Sequence, residues 1–172
     1  AAIVIVSIYN GLVGLRVRAD NAWSDIDVQL KRRHDLIPNV VETVKGYAAH
    51  EKGTLEAVIA ARSRAVSVEN AGPAERAAAE GAVTSALRGL FALAESYPQL
   101  RAVESFTQLQ TQLAQIEDAV QNARRYYNAV VRDLNTKVVQ FPSNIVAGLF
   151  SIKSREFFEA PESDRAVPQV KF

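Results

Sequence analysis

The sequence predicts an all-α protein: an elongated, antiparallel up-and-down four-helix bundle. It continues from the end of an N-terminal transmembrane helix and closes on an extended C-terminal tail. Three observations carry that prediction. Apolar residues recur at spacings of three and four over most of the chain, the period of one helical face. The breaks between these runs are short and fall at Pro38, Pro73, Pro98 and Pro142, so consecutive helices reverse direction and become antiparallel neighbours. The first charged residue is Arg16, which leaves the start of the chain apolar on every face.

Residues 1–8, with Ile3, Val4, Ile5, Val6 and Ile8, read as the trailing end of a membrane span. They fall short of the roughly 20 apolar residues a bilayer needs, and they lack the polar face a core helix keeps toward water. The chain contains no methionine and opens on Ala1, so the span is expected to begin upstream. Tyr9-Asn10 suits a membrane–water interface. The run flows into helix without the small-residue cleavage pattern of a secretory signal. The expectation is a single-pass membrane protein with lipid as a partner; without the upstream flank, the side occupied by the bundle stays open.

The first bundle helix carries Leu12, Leu15, Ala19, Ala22, Trp23, Ile26 and Leu30 on one face, with Trp23 as a core anchor. Proline lacks an amide hydrogen and clashes with the carbonyl four residues back, so Pro38 predicts a reversal there. The stretch Lys31 to Glu42 then becomes a charged corner, with Leu36 and Ile37 plugging the bundle end. A second helix, capped by Asn39 with Glu42 or by Asp35, buries Val40, Val41, Val44, Ala48, Leu55, Val58, Ile59 and Ala65. Gly46 and Gly53 either weaken it or admit a close neighbour. A Gly72-Pro73 loop precedes a third, alanine-rich helix over about residues 74–96. The fourth is the longest, residues 103–140, with a seam of Phe106, Leu109, Leu113, Ile116, Val120, Ala123, Tyr127, Val130 and Leu134. Val138 and Phe141 continue that heptad-like repeat, the pattern of coiled-coil packing. Ser143 or Asn144 caps a short apolar segment, and the end, Pro168 to Phe172, alternates like an extended strand. The domain division that follows is 1–8 for the span, 9–150 for the bundle and 151–172 for the tail.

The composition excludes several chemistries. With no cysteine there is no disulfide, thiolate metal site or thiol nucleophile. Formal charge is +1, from 20 basic and 19 acidic residues, so there is no global case for nucleic acid. His50-Glu51 lacks the second histidine of a zinc-protease helix, because position 54 is Thr54. Neither His34 nor His50 has the glutamate three residues earlier that a di-iron bundle uses. No phosphate loop is present. The sequence therefore predicts no catalytic residue, no metal and no cofactor. The cluster Lys31, Arg32, Arg33 and His34, with Asp35, is the candidate partner-binding site. Its plainer reading is a solvated corner, with positive charge favoured at a helix C-terminus. At 1.5 Å per residue it stands roughly 35 Å from Ile8, too far to grip lipid on the same membrane.

Several motifs are long enough to be specific. They are Tyr9-Asn10 with Asn21-Ala22-Trp23, Asp27 through Asn39, Val44 through Glu51, Tyr127-Asn128, Asn135-Thr136-Lys137, Phe141 through Phe150, Phe157 to Glu159 and Val167 through Phe172. Over about residues 9–172 the chain resembles the LemA family. The resemblance implies a bacterial-type protein with an N-terminal transmembrane helix and an antiparallel helical bundle. It brings no catalytic residues, and the family often has tyrosine where His34 stands, which speaks against essential histidine chemistry there. Two functional classes follow. One is a membrane-anchored, non-catalytic interaction or assembly protein, self-associating into a homo-oligomer or binding another membrane protein. The other is an adaptor in membrane-protein quality control or envelope stress, contacting its partner at the distal corner or the tail.

Overall fold

A computed structural model describes residues 1–160, which form six helices and, among the described residues, no strand. They are α1 (Ala2–Ala48), α2 (Lys52–Ser67), α3 (Pro73–Ala94), α4 (Pro98–Arg101), α5 (Glu104–Val139) and α6 (Ser143–Leu149). The all-α expectation holds; the strand-like end at Pro168–Phe172 lies outside the described residues. Two compact units make up the chain, one of Ala1–Gln29 with Ala119–Phe158 and one built around Leu30–Asp118. Both α1 and α5 contribute to each.

The expected reversal at Pro38 is corrected. α1 runs straight through it, 47 residues long with Pro38 inside, and the chain turns only at Ala49–Glu51. Proline at this position deprives the His34 carbonyl of its intrahelical donor. The Arg62 guanidinium supplies a replacement, Nε donating to the His34 oxygen at 2.8 Å. The helix therefore continues because α2 satisfies the group that proline orphans. Ile37 is fully buried and Leu36 partly so, inside the core rather than across a bundle end. Replacing Arg62 with methionine keeps the aliphatic stem and removes the donor. The loss expected is about 1–3 kcal/mol, read as a lower urea midpoint with an unchanged slope.

Within the second unit, the latter part of α1, α2, α3 and the first part of α5 form an up-and-down four-helix arrangement. Lys31 pairs with Glu69 at 3.0 Å and His34 with Arg62, so α1 and α2 are antiparallel. Arg33 bridges Thr84 of α3 and Glu117 of α5, and Phe91 stacks edge-on to Phe106 at 6.1 Å, which sets α3 antiparallel to α5. The core is apolar: Ile37, Val40, Val44, Val58, Val83, Leu87, Leu90, Leu100, Phe106 and Leu113. Tyr97 pins the α1–α2 turn, its hydroxyl donating to Glu51 Oε1 at 2.8 Å and lying 3.0 Å from His50 Nε2. A methyl group placed on Gly53 would meet nothing within 4 Å, so the close-approach reading of that glycine does not hold. Gly53→Ala in α2 should therefore raise stability by about 0.5–1 kcal/mol, because glycine loses more backbone entropy in a helix. A matched pair of urea curves checks it.

In the first unit, the start of α1 and the end of α5 run antiparallel. Trp23 lies 5.4 Å from the Tyr127 ring, and a Cβ on Gly11 would come to 3.8 Å from Lys137 Nζ. Leu12, Leu15, Ala19, Ala22 and Ile26 pack on this side of α1, with Val120, Tyr127, Val130, Val131 and Leu134 on α5. The predicted seam on α5 holds to Leu134; Phe141 leaves it and is 75% exposed. After α5 the chain turns at Phe141-Pro142, a cis peptide, into α6. That helix ends in a Schellman motif: Ile152 N donates to the Ala147 oxygen at 2.9 Å and Ser151 N to the Gly148 oxygen at 3.3 Å. Ser151 takes the positive φ of 54° that the motif requires.

Residues 152–158 are extended and strapped along α5. Asn135 Nδ2 donates to the Arg155 oxygen at 2.9 Å, and its Oδ1 accepts the Arg155 amide at 2.8 Å. One heptad earlier, Asn128 treats Phe158 the same way, at 3.3 and 2.9 Å. Tyr127 donates its hydroxyl to the Glu156 oxygen at 2.9 Å. The geometry fits because seven helical residues rise about 10.5 Å and three extended residues span about 10 Å.

Candidate functional site

The charged cluster that the sequence singles out divides in two. Lys31, Arg32 and Asp35 are exposed, whereas Arg33 and His34 are buried, Arg33 to 2%. The cause is register: Leu30, Arg33, Ile37, Val40 and Val44 follow one another at three and four, so Arg33 stands on the apolar stripe of α1. Glu80 does the same on α3, between Arg76 and Val83, with 3% exposure. Two charges of opposite sign are thus carried into the core by two helices.

There they form a tight network. Arg33 Nη2 donates to Glu80 Oε2 at 2.5 Å and to the Glu80 carbonyl at 3.1 Å. Its Nη1 donates to Glu117 Oε2 at 2.7 Å and to Thr84 Oγ1 at 2.9 Å. The other oxygen of Glu80 lies 2.6 Å from His34 Nε2, and because an ionised carboxylate only accepts, that nitrogen is the donor. Thr84 closes the set by donating to the Glu80 carbonyl at 3.2 Å. Burial pushes the Glu80 carboxyl up, but the His34 hydrogen bond and the Arg33 charge outweigh it, and the group is held below its ordinary value of 4.5. Beside the network a cleft of about 220 Å³ opens between α3 and α5, walled by Leu87, Phe91, Leu113 and Ala114.

The network joins three helices at one level through bonds among Arg33, His34, Glu80, Thr84 and Glu117. Among the described residues no group of three or more His, Cys, Asp or Glu could hold a metal ion. Sequence reasoning missed Glu80, Thr84, Glu117 and Arg62. The signal for the first was available, an acidic residue on an apolar stripe, but its pairing with Arg33 is a tertiary fact.

The other candidate site is the apolar start of α1. Ile3, Val4, Ile5 and Val6 are exposed, Ile3 to 85%, and Ile8 is half-buried. The apolar part of this helix is mostly exposed. By length and composition it is apolar enough to cross a membrane.

A model of the LemA family matches residues 22–172. The chain is 25% identical to Magnetosome protein MamQ 2 of Paramagnetospirillum magneticum over 94% of its own length and 70% of that protein's. It is 29% identical to Protein LemA of Metamycoplasma hominis over 84% of its length and 66% of that relative's. Magnetosome protein MamQ of Magnetospirillum gryphiswaldense is 24% identical over 94% of this chain and 70% of its own.

Proposed function

The chain belongs to the LemA family, and from that premise we propose that it is a single-pass, membrane-anchored helical protein that works by association rather than catalysis. The observation that carries this reading is α1 itself. Its first turns are apolar and mostly exposed, while its continuation supplies core residues such as Ile37, Val40 and Val44. Anchor and core residues thus belong to one continuous helix. Two of these relatives are named for a structure, the magnetosome. The partners this reading expects are lipid and further copies of the chain or another membrane protein.

The test is extraction of the full chain in mild detergent after in-membrane crosslinking, with mass determined by light scattering. Oligomers or a reproducible membrane-protein adduct support the proposal; a strict monomer without adducts overturns the assembly reading.

An adaptor role in membrane-protein quality control or envelope stress is the second reading. The observation favouring it is that Lys31, Arg32 and Asp35 remain on the surface of α1. Reversing Lys31 and Arg32 to glutamate should then abolish capture of the partner. Arg33 must be left intact, because it belongs to the core.

A further inference from the structure

We propose that the reversal joining α5 to α6 is a second membrane contact, an uncharged tip lying in the headgroup–acyl boundary beside the start of α1. This rests on the reading of α1 as the anchor. The tip displays Val139, Phe141, Ile145, Leu149 and Phe150 to solvent, Phe141 at 75% and Leu149 at 71% exposure. Their exposure is not a sign of poor folding. The opposite side of the same segment is buried through Val146, Ala147 and Ile152, and the Schellman bonds fix its end. The segment is a small amphipathic element whose apolar face, apart from the Phe150 contact with Tyr9, is left open among the described residues.

Charge and position choose lipid as the occupant. Residues 138–152 contain no charged side chain, and Lys137 and Lys153 bracket them. α1 likewise carries no charged side chain before Arg16. The two uncharged stretches come together at one end of the unit. The Phe150 ring lies 4.5 Å from that of Tyr9, and Lys137 Nζ reaches the level of Gly11. Apolar side chains, then tyrosine, then lysine and arginine is the order of a membrane interface read from the acyl side outward. Shallow burial of an apolar face flanked by basic residues is how interfacial elements bind. A protein–protein interface, by contrast, is depleted in lysine. Asp20, the first acidic residue of α1, is already taken up by Arg155, so the collar of Arg16, Arg18, Lys137 and Lys153 favours anionic headgroups.

The chain has no cysteine, so single cysteines report position without background. The full chain is placed in phosphatidylcholine–phosphatidylglycerol vesicles with an environment-sensitive fluorophore at Ile5→Cys, Phe141→Cys, Leu149→Cys or, as the control up α5, Tyr126→Cys. Spin-labelled lipids then quench from shallow or deep acyl positions. The expected result is deep quenching at Ile5, several-fold stronger shallow quenching at Phe141 and Leu149 than at Tyr126, and none of the contrast in vesicle-free detergent. Quenching at Ile5 with Phe141 and Leu149 no different from Tyr126 overturns the tip and leaves the anchor standing. A blue-shifted but unquenched tip means a protein occupant and also overturns it. Absence of quenching at Ile5 overturns the anchor reading, and tip quenching then decides the tip alone.

Discussion

Glu80→Ala is expected to lower the stability of the full chain by about 3 kcal/mol, the low end for breaking a buried ion pair. Arg33 would remain 2% exposed with one carboxylate fewer, and His34 would lose the acceptor at 2.6 Å. Glu117 stays within 2.7 Å of Arg33 and is the more exposed of the two acids, which keeps the cost from the upper end. Removing both charges is a different matter. Arg33→Met with Glu80→Met replaces ion pair by packing, so the double variant should be less destabilised than the sum of its parts by a coupling of a few kcal/mol. Urea denaturation of the four members of that cycle measures it; additive effects would mean that the pair contributes no coupling.

The same carboxylate gives the stability a defined pH dependence. Its folded pKa lies below its ordinary value of 4.5, so the unfolded chain takes up the proton first as pH falls. The contribution of Glu80 is therefore complete above that value and is lost as pH drops through the lowered one. Glu80→Gln should flatten this part of the acid limb, with the two proteins converging in acid and separating toward neutral pH. Parallel curves across that range would show that another group controls the limb.

The sequence was legible wherever structure follows from local periodicity. The seam from Phe106 to Leu134 stays on one face of α5, and the Gly72-Pro73 loop stands where turn chemistry puts it, because both depend on residues close in the chain. Pro38 was misread for the opposite reason. Its local penalty is real, but the donor that offsets it, Arg62, sits on another helix, and nothing near Pro38 announces it. Arg33 and Glu80 were legible in part. Each interrupts an apolar stripe at the right spacing, which marks a charge headed inward, but only the fold brings the two stripes together. The cluster Lys31 to Asp35 is one patch along the chain but divides around the helix, Arg33 and His34 turning inward. Asn128 and Asn135 stood out by motif, yet their heptad spacing acquires meaning only once an extended segment lies beside them.

Those two asparagines lead to the second large effect. Asn128→Ala with Asn135→Ala should cost about 2–4 kcal/mol and free the extended segment from α5. Each side chain serves both a backbone N–H and a backbone carbonyl of the strap, groups that cost about 1–3 kcal/mol apiece if left buried and unpaired. Partial exposure lets water replace some of them, which sets the lower figure. The single tryptophan is a native reporter. Trp23 packs 5.7 Å from the Phe158 ring and 5.4 Å from that of Tyr127, so lifting the strap should red-shift its emission before global unfolding. Protease cleavage within residues 152–158 should accelerate in step. Tyr127→Phe tests a further tie by removing the hydroxyl that donates to the Glu156 carbonyl and meets the Arg155 side chain, for about 1 kcal/mol. If the double variant kept both the wild-type emission and the wild-type cleavage rate, the strap would be held by the packing of Ile152 and Phe158 together with the Tyr127 and Asp20 contacts. The paired amide bonds along α5 would then set its register without adding to its stability.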